Sequence, residues 1–153
     1  MFGLRGQSSV EYLSIVAVAL MILVPSSYLF FDFSQGSTDQ VSASQLNLIG
    51  NTIIHEAEKM FVLGSDSWVT IDISFPNSLD EAKIVDGKEM YFSYASSKGS
   101  TYVVFFTPSH FNISNSTDDT CTDECDLGFS PGVNNIRIQS RSDLGNVVSV
   151  VKI

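Results

Sequence analysis

Residues 12–31 carry no charge, and most of them are Leu, Ile, Val, Ala, Phe or Met. Twenty residues at about 1.5 Å per residue span roughly 30 Å, the thickness of a bilayer's hydrocarbon core. A helix satisfies its own backbone hydrogen bonds, so such a run needs no partner in lipid. Elsewhere in water it would need covering on every side. This constrains the chain more than any other feature: one long helix, apolar all round, lies near the amino end.

What precedes the run separates it from an ordinary secretory signal. Such a signal has an apolar region of about 7–15 residues that ends in a small-residue cleavage site. Here the run is longer, and Pro25-Ser26-Ser27 fits such a site poorly. The polar box comes first: Gly6-Gln7-Ser8-Ser9-Val10-Glu11-Tyr12, behind a short leader with one basic residue, Arg5. Gln7, Ser9, Glu11 and Tyr12 match the Q-x-S-x-E-Y box of the class III signal peptide, so this segment resembles archaeal type IV pilin-like proteins. The resemblance covers about seven residues and the run behind them. It implies that a prepilin peptidase cuts between Gly6 and Gln7, that the apolar helix is retained, and that Glu11 becomes the fifth residue of the mature chain. In that family the acid is thought to pair with the amino terminus of a neighbouring subunit. A plain signal anchor with a Glu11 that stays among the lipid headgroups is the alternative.

Of the 153 residues, six fall in the implied leader, which leaves 147 and removes Arg5, so the formal charge moves from −9 to −10. After the membrane helix and a similar length of chain behind it, about 90 residues remain, enough for one modest core. The acidic balance, with a pI near 4.4, argues against nucleic acid as a partner. Proline at position 25 predicts a kink or local melting in the apolar helix. Residues 34–39 read as a polar break containing Gly36. Ser42 and Gln45 then have capping-box spacing. A second, amphipathic helix is expected to follow, with Leu46, Ile49, Ile53, Ala57 and Met60 on one face, Ile54 and Phe61 widening it, and Gly64 as its stop. Whether the two helices are continuous is left open.

Beyond residue 65 the apolar period changes from 3.6 to 2. Val69, Ile71, Ile73 and Phe75 share one face of a strand that Pro76 ends. Asp86-Gly87 marks a hairpin between residues 82–85 and 88–95. Residues 101–107 are apolar on both faces and so read as an interior strand. Residues 109–130 read as a long loop, and residues 133–139 and 146–153 as the last two strands, joined through Asp143-Leu144-Gly145. The expected fold is α+β: a long hydrophobic helix, then an amphipathic helix packed on a small antiparallel sheet or sandwich. The expected segments are leader 1–6, membrane or filament-core helix 7–33, polar break and amphipathic helix 34–64, and extracellular β domain 65–153.

Candidate sites outside the box are few. Cys121 and Cys125 are the only cysteines, and outside the cytoplasm they are expected to form a disulfide. The acids around them, Asp118 to Asp126, lack the order of a calcium loop, and two cysteines without a nearby histidine fall short of a soft-metal set. No metal or cofactor is therefore expected, with calcium kept as the alternative. Asn112 and Asn115 begin back-to-back glycosylation sequons. His55 and His110 stand alone, and no nucleophile or phosphate-loop pattern occurs, so no catalytic residue is named. Tyr91, Phe92, Tyr94, Tyr102, Phe105 and Phe106 read as core, with a sugar-binding face as the other possibility.

The resemblance thus implies a structural subunit of a type IV pilus-like surface filament, used for adhesion. Its partners would be identical or related pilin subunits, the peptidase, and the cytoplasmic membrane before assembly. Two other classes stay open: a membrane-anchored monomeric β-sandwich that binds glycan or calcium, and a minor pilin or pseudopilin of a secretion or DNA-uptake machine.

Overall fold

The computed structural model describes residues 5–116, 120–141 and 145–153, with side chains from Val10 onward. It divides into two units, Met1–Thr38 and Asp39–Ile153. A single helix, α1 (Arg5–Leu63), contributes to both.

The expected pair of helices is therefore one element. Residues 34–39 stay helical, Gly36 included, and Ser42 lies inside the helix, not at an N-cap. One glycine costs about 1 kcal/mol of propensity, whereas breaking a long helix loses hydrogen bonds on both sides of the gap. The chain likewise stays helical through Pro25. The hydroxyls of Ser26 and Ser27, just after the proline, donate to the carbonyls of Ile22 and Leu23 at 2.8 Å.

In the second unit, eight strands form two four-stranded sheets. β1 (Trp68–Phe75), β7 (Gly132–Arg141), β8 (Val147–Lys152) and β5 (Asn112–Ser114) lie in that order in one sheet. β4 (Gly99–Phe106), β3 (Glu89–Ser96), β2 (Leu79–Val85) and β6 (Glu124–Asp126) make the other. All pairs are antiparallel except β5 with β8. Both sheets and the helix share one core. Leu46, Ile53 and Ala57 are fully buried, Ile49 and Met60 nearly so, and Ile54 and Phe61 pack at the margin, as the periodicity predicts. Against them lie Ile73, Phe75, Ile136 and Ile138 from one sheet and Ile84, Met90, Phe92 and Phe105 from the other. Gly64 ends the helix, its N–H donating to the Phe61 carbonyl at 3.2 Å.

Two glycines permit close approach. A Cβ at Gly50 would fall 2.3 Å from the Phe105 ring, so the helix can lie this near β4 only without a side chain there. At the predicted β2–β3 hairpin, Asp86 and Gly87 both have positive φ, as a type I′ turn requires. Gly87 also gives its carbonyl to the Ile113 N–H at 2.8 Å, and an added Cβ would stand 3.1 Å from the Ile113 oxygen. This turn is the seat of β5.

Two expectations are corrected. Residues 109–130 are not one long loop: they contain β5 and β6, each only three residues long. β4 is not interior: it is the edge of its sheet, with Tyr102 and Phe106 about 70% exposed. Of the six aromatic residues assigned to the core, Phe92, Tyr94 and Phe105 are buried, Tyr91 is half-buried, and Tyr102 and Phe106 point out. The apolar run on β4 puts its inner residues on the core and its outer ones in the open. Asp143 and Leu144, in the connection between β7 and β8, lie outside the described residues.

The tip of the β3–β4 hairpin is tied to the helix by Asp39. Its carboxylate accepts hydrogen bonds from the Ser96 hydroxyl at 2.9 Å and from the Ser97 hydroxyl and N–H at 2.5 Å and 3.0 Å. The hydrogen bonds from Ser97, then that from Ser96, hold the carboxyl below its ordinary pKa of 3.8. Because the folded value is depressed, the contribution of this clamp is fully present above the unfolded value and is lost as pH falls through the folded one. Amide exchange at Ser97 is thus expected to stay slow at neutral and mildly acidic pH and to speed up only below the usual carboxylate range. Asp39→Ala should make it fast at neutral pH, and an unchanged rate in that variant would remove the clamp.

Candidate functional site

The candidate site begins where α1 begins. Gly6, Gln7 and Ser9 lie within the helix, and their side chains fall outside the described residues; so does all of residues 1–4 in the implied leader. Glu11 and Tyr12 are exposed on the helix surface. Gln7 and Glu11 are four residues apart, hence one turn apart on one helical face. The Glu11 carbonyl accepts a hydrogen bond from the Ser14 hydroxyl at 2.8 Å.

From Leu13 to Phe31 the surface of this helix is largely apolar on every side. Leu13, Ile15, Leu20, Ile22, Leu23 and Phe31 are each more than half exposed. The helix is long and apolar enough to cross a membrane, and no part of the window that qualifies is buried. Glu11 marks one end of the charge-free surface and Asp32 the other, both exposed. A soluble helix presents one apolar stripe, whereas one that is apolar all round belongs in lipid or among other helices. Beyond residue 39 the same helix becomes one-sided, with Asn47, Asn51 and His55 exposed opposite the buried stripe. One continuous element therefore changes from an all-round to a one-faced apolar pattern.

The second candidate region is the acidic segment. Cys121 and Cys125 are bonded to each other, as expected. The bond does more than pinch a loop. Cys125 lies in β6 opposite Ile84 of β2, and Cys121 is nearly buried, so the bridge fastens the edge strand β6 against its sheet. Lys83 adds to this attachment: its ammonium lies 3.0 Å from Glu81 and 3.6 Å from Glu124. The hydrogen bond that Lys83 donates to the Glu81 carboxylate, foremost, holds the ammonium above its ordinary pKa. Asp118 and Asp119 lie outside the described residues. Among the described residues no three His, Cys, Asp or Glu side chains gather into a possible metal site. A bridge of this span closes a small ring and stabilises by about 2 kcal/mol or less. The double variant Cys121→Ser, Cys125→Ser should keep both sheets, by circular dichroism. Amide exchange should quicken at Leu127, whose N–H donates to the Ala82 carbonyl just beyond β6. Global unfolding would show that the bridge carries the fold.

The sequons flank one short strand. Asn112, in β5, is half-buried and borders an open groove with Asp86, Lys88, His110 and Cys121. Asn115 follows the strand, and its Nδ2 donates to the Asp126 carbonyl at 2.8 Å. Thr117, which completes the second sequon, lies outside the described residues. His110 packs its ring against Phe61 and Phe111 at centroid distances of 5.1 and 5.2 Å. His55 is exposed on α1, far from it in sequence.

Two features of the surface have no counterpart in the sequence reading. One is the Asp39 clamp, which pairs residues 57 and 58 positions apart. The other is the outward apolar stripe of β4, Tyr102, Val104 and Phe106. Alternation within residues 101–107 shows which side chains share a face, but only the order of the strands shows that one face and one edge are open. Comparison of the chain with protein-family models, with curated proteins and with solved structures gave no match.

Proposed function

We propose that this chain is a structural, non-catalytic subunit of a type IV pilus-like surface filament, anchored in the cytoplasmic membrane by α1 before assembly and displayed outside the cell afterwards. The observation that carries this reading is the charge-free, all-round exposed surface of α1 between Glu11 and Asp32, directly behind the Gln7-x-Ser9-x-Glu11-Tyr12 box. One surface suits both states: it faces lipid tails in the monomer and other helices in the polymer, and small residues such as Ala17, Ala19 and Ser14 allow helices to approach closely. The β unit, with its acidic composition and its half-buried Asn112 and Asn115, then forms the outside of the filament and makes the adhesive contacts. Attachment of glycan at Asn112 or Asn115 belongs to the same proposal.

The decisive experiment is amino-terminal sequencing of the native protein, with electron microscopy of surface filaments. The mature chain is expected to start at Gln7, and that form is expected in the filaments. A start at Met1, or a cut after Ser26 or Ser27, would remove the main support for a pilin-type subunit and favour a plain membrane anchor.

A further inference from the structure

A glycosylation acceptor ordinarily lies in a surface loop, where a transferase can grip both the asparagine and the hydroxyl two residues on. The first sequon here is folded into a strand instead. Asn112, Ile113 and Ser114 are the whole of β5, and they pair with Val147, Val148 and Ser149 of β8. The Asn112 N–H donates to the Asn146 carbonyl at 2.8 Å, and the Ile113 N–H donates to the Gly87 carbonyl at 2.8 Å, so the strand is held from both sides. Ile113 and Ser114 are each 1% exposed. The Ser114 hydroxyl accepts a hydrogen bond from the Ser116 N–H at 3.2 Å. Of the three residues, Asn112 alone reaches the surface. It is half-buried and lines an open groove of about 530 Å³ with Asp86, Lys88, His110, Thr122 and Asn146.

We propose that Asn112 accepts a glycan only before β5 docks, so that transfer at this site precedes folding and the finished sheet closes it. The inference rests on the exported, glycan-bearing reading given above. The transfer joins Asn112 Nδ2 to the anomeric carbon of a sugar carried on a polyprenyl diphosphate. A C–N bond replaces the anomeric C–O bond, the diphosphate leaves with that electron pair, and the amide loses one proton to a base of the transferase. The enzyme has to hold an extended acceptor and reach the serine hydroxyl. In the folded chain the Asn112 side chain is within reach, but the Ser114 hydroxyl is buried. The backbone of Asn112 and Ile113 is already committed to Asn146 and Gly87. Modification of the folded chain therefore requires β5 to leave both neighbours. A sugar attached earlier has room, because the groove beside Asn112 is open and its polar side chains suit sugar hydroxyls. A glycan placed early is thus compatible with the fold, and one placed late is blocked. Asn115 is a separate case, since its sequon ends at Thr117, outside the described residues.

The test gives one oligosaccharyltransferase two acceptors in the same reaction, with an N-acetylglucosamine disaccharide on polyprenyl diphosphate as donor. One acceptor is the full chain, made without glycan and folded in detergent micelles, with Thr117→Ala so that Asn112 heads its only sequon. The other is a synthetic peptide of residues 108–116. Mass spectrometry reads the sugar on each. The peptide is expected to be modified at Asn112, and the folded chain about ten-fold more slowly or less, because it has to open locally first. Gly87→Ala in the chain should narrow that gap several-fold. Its added Cβ would stand 3.1 Å from the Ile113 oxygen and 3.2 Å from the Asn112 Cβ, which pushes β5 off its seat. If Gly87→Ala loses the sheets by circular dichroism, Ile113→Ala serves instead, with a peptide of the same sequence. An unmodified peptide, a folded chain modified as fast as the peptide, or a gap indifferent to the loosening variant would each overturn the proposal. The reading beneath it fails separately: native protein without glycan at Asn112 and Asn115 would remove that reading, while the ratio of chain to peptide would still decide this one.

Discussion

Phe92→Ala is expected to lower the unfolding free energy of the β unit by about 3–5 kcal/mol, the usual cost of removing a buried aromatic ring and leaving a cavity. Phe92 is completely buried. Its ring lies 5.6 Å from that of Phe75 in the other sheet and 5.6 Å from that of Phe105, which in turn fills the space above Gly50. Removing it thus breaks contact between the two sheets and undermines the ring on which the helix rests. The neighbours cannot close the gap cheaply, because Phe75 is also stacked on Phe129 at 5.1 Å. Tyr102→Ala, one strand away on the open face, should change stability by about 0.5 kcal/mol or less, as surface substitutions do. Chemical denaturation of the full chain in detergent, followed by near-ultraviolet circular dichroism, measures both. Equal losses for the two variants would mean that β4 is covered on both faces, as its composition alone suggests.

That pair of aromatic residues shows where the sequence is legible and where it is not. The helical stripe from Leu46 to Met60, the Asp86-Gly87 turn and the faces of β1 follow from local rules, and the structure has them. Each depends on residues within a few positions of one another. β5 and β6 escape such rules: three residues carry no readable period, and the parallel β5–β8 pair has no hairpin to announce it. The role of β4 escapes for another reason. Tyr102, Val103, Val104, Phe105 and Phe106 are all apolar, so composition suggests burial, but strand order leaves one face open. Continuity of α1 through Gly36 is a competition between a local propensity cost and cooperative helix propagation, and a glycine in a window does not show which wins. At the amino end, Gln7, Ser9, Glu11 and Tyr12 are legible only as a pattern of residue types. Their proposed use needs other molecules, so neither the fold nor the composition of one chain contains it.

Glu11→Gln is expected to leave the processed subunit in the membrane while filaments fail to form or become scarce. The substitution keeps the size of the side chain and most of its hydrogen bonding but removes its charge. In the proposed filament the carboxylate meets the new α-amino group of Gln7 on a neighbouring subunit, inside a helical bundle with little water. Removing one partner leaves the other charge buried and unpaired, which typically costs about 3–5 kcal/mol. The isolated subunit escapes this cost, because an amine at the membrane surface reaches water, and the charge-free run of residues 12–31 that inserts in lipid is unchanged. Gln7 and Glu11 of one chain also share a helical face. Were the pair made within each chain, the variant would weaken the membrane monomer as well, so loss confined to filaments is the mark of pairing between subunits. Membrane fractionation, amino-terminal sequencing and electron microscopy of the variant read the three steps in turn. Normal filaments would place Glu11 among the headgroups with no part in assembly, and an uncut precursor would assign the acid to recognition by the peptidase.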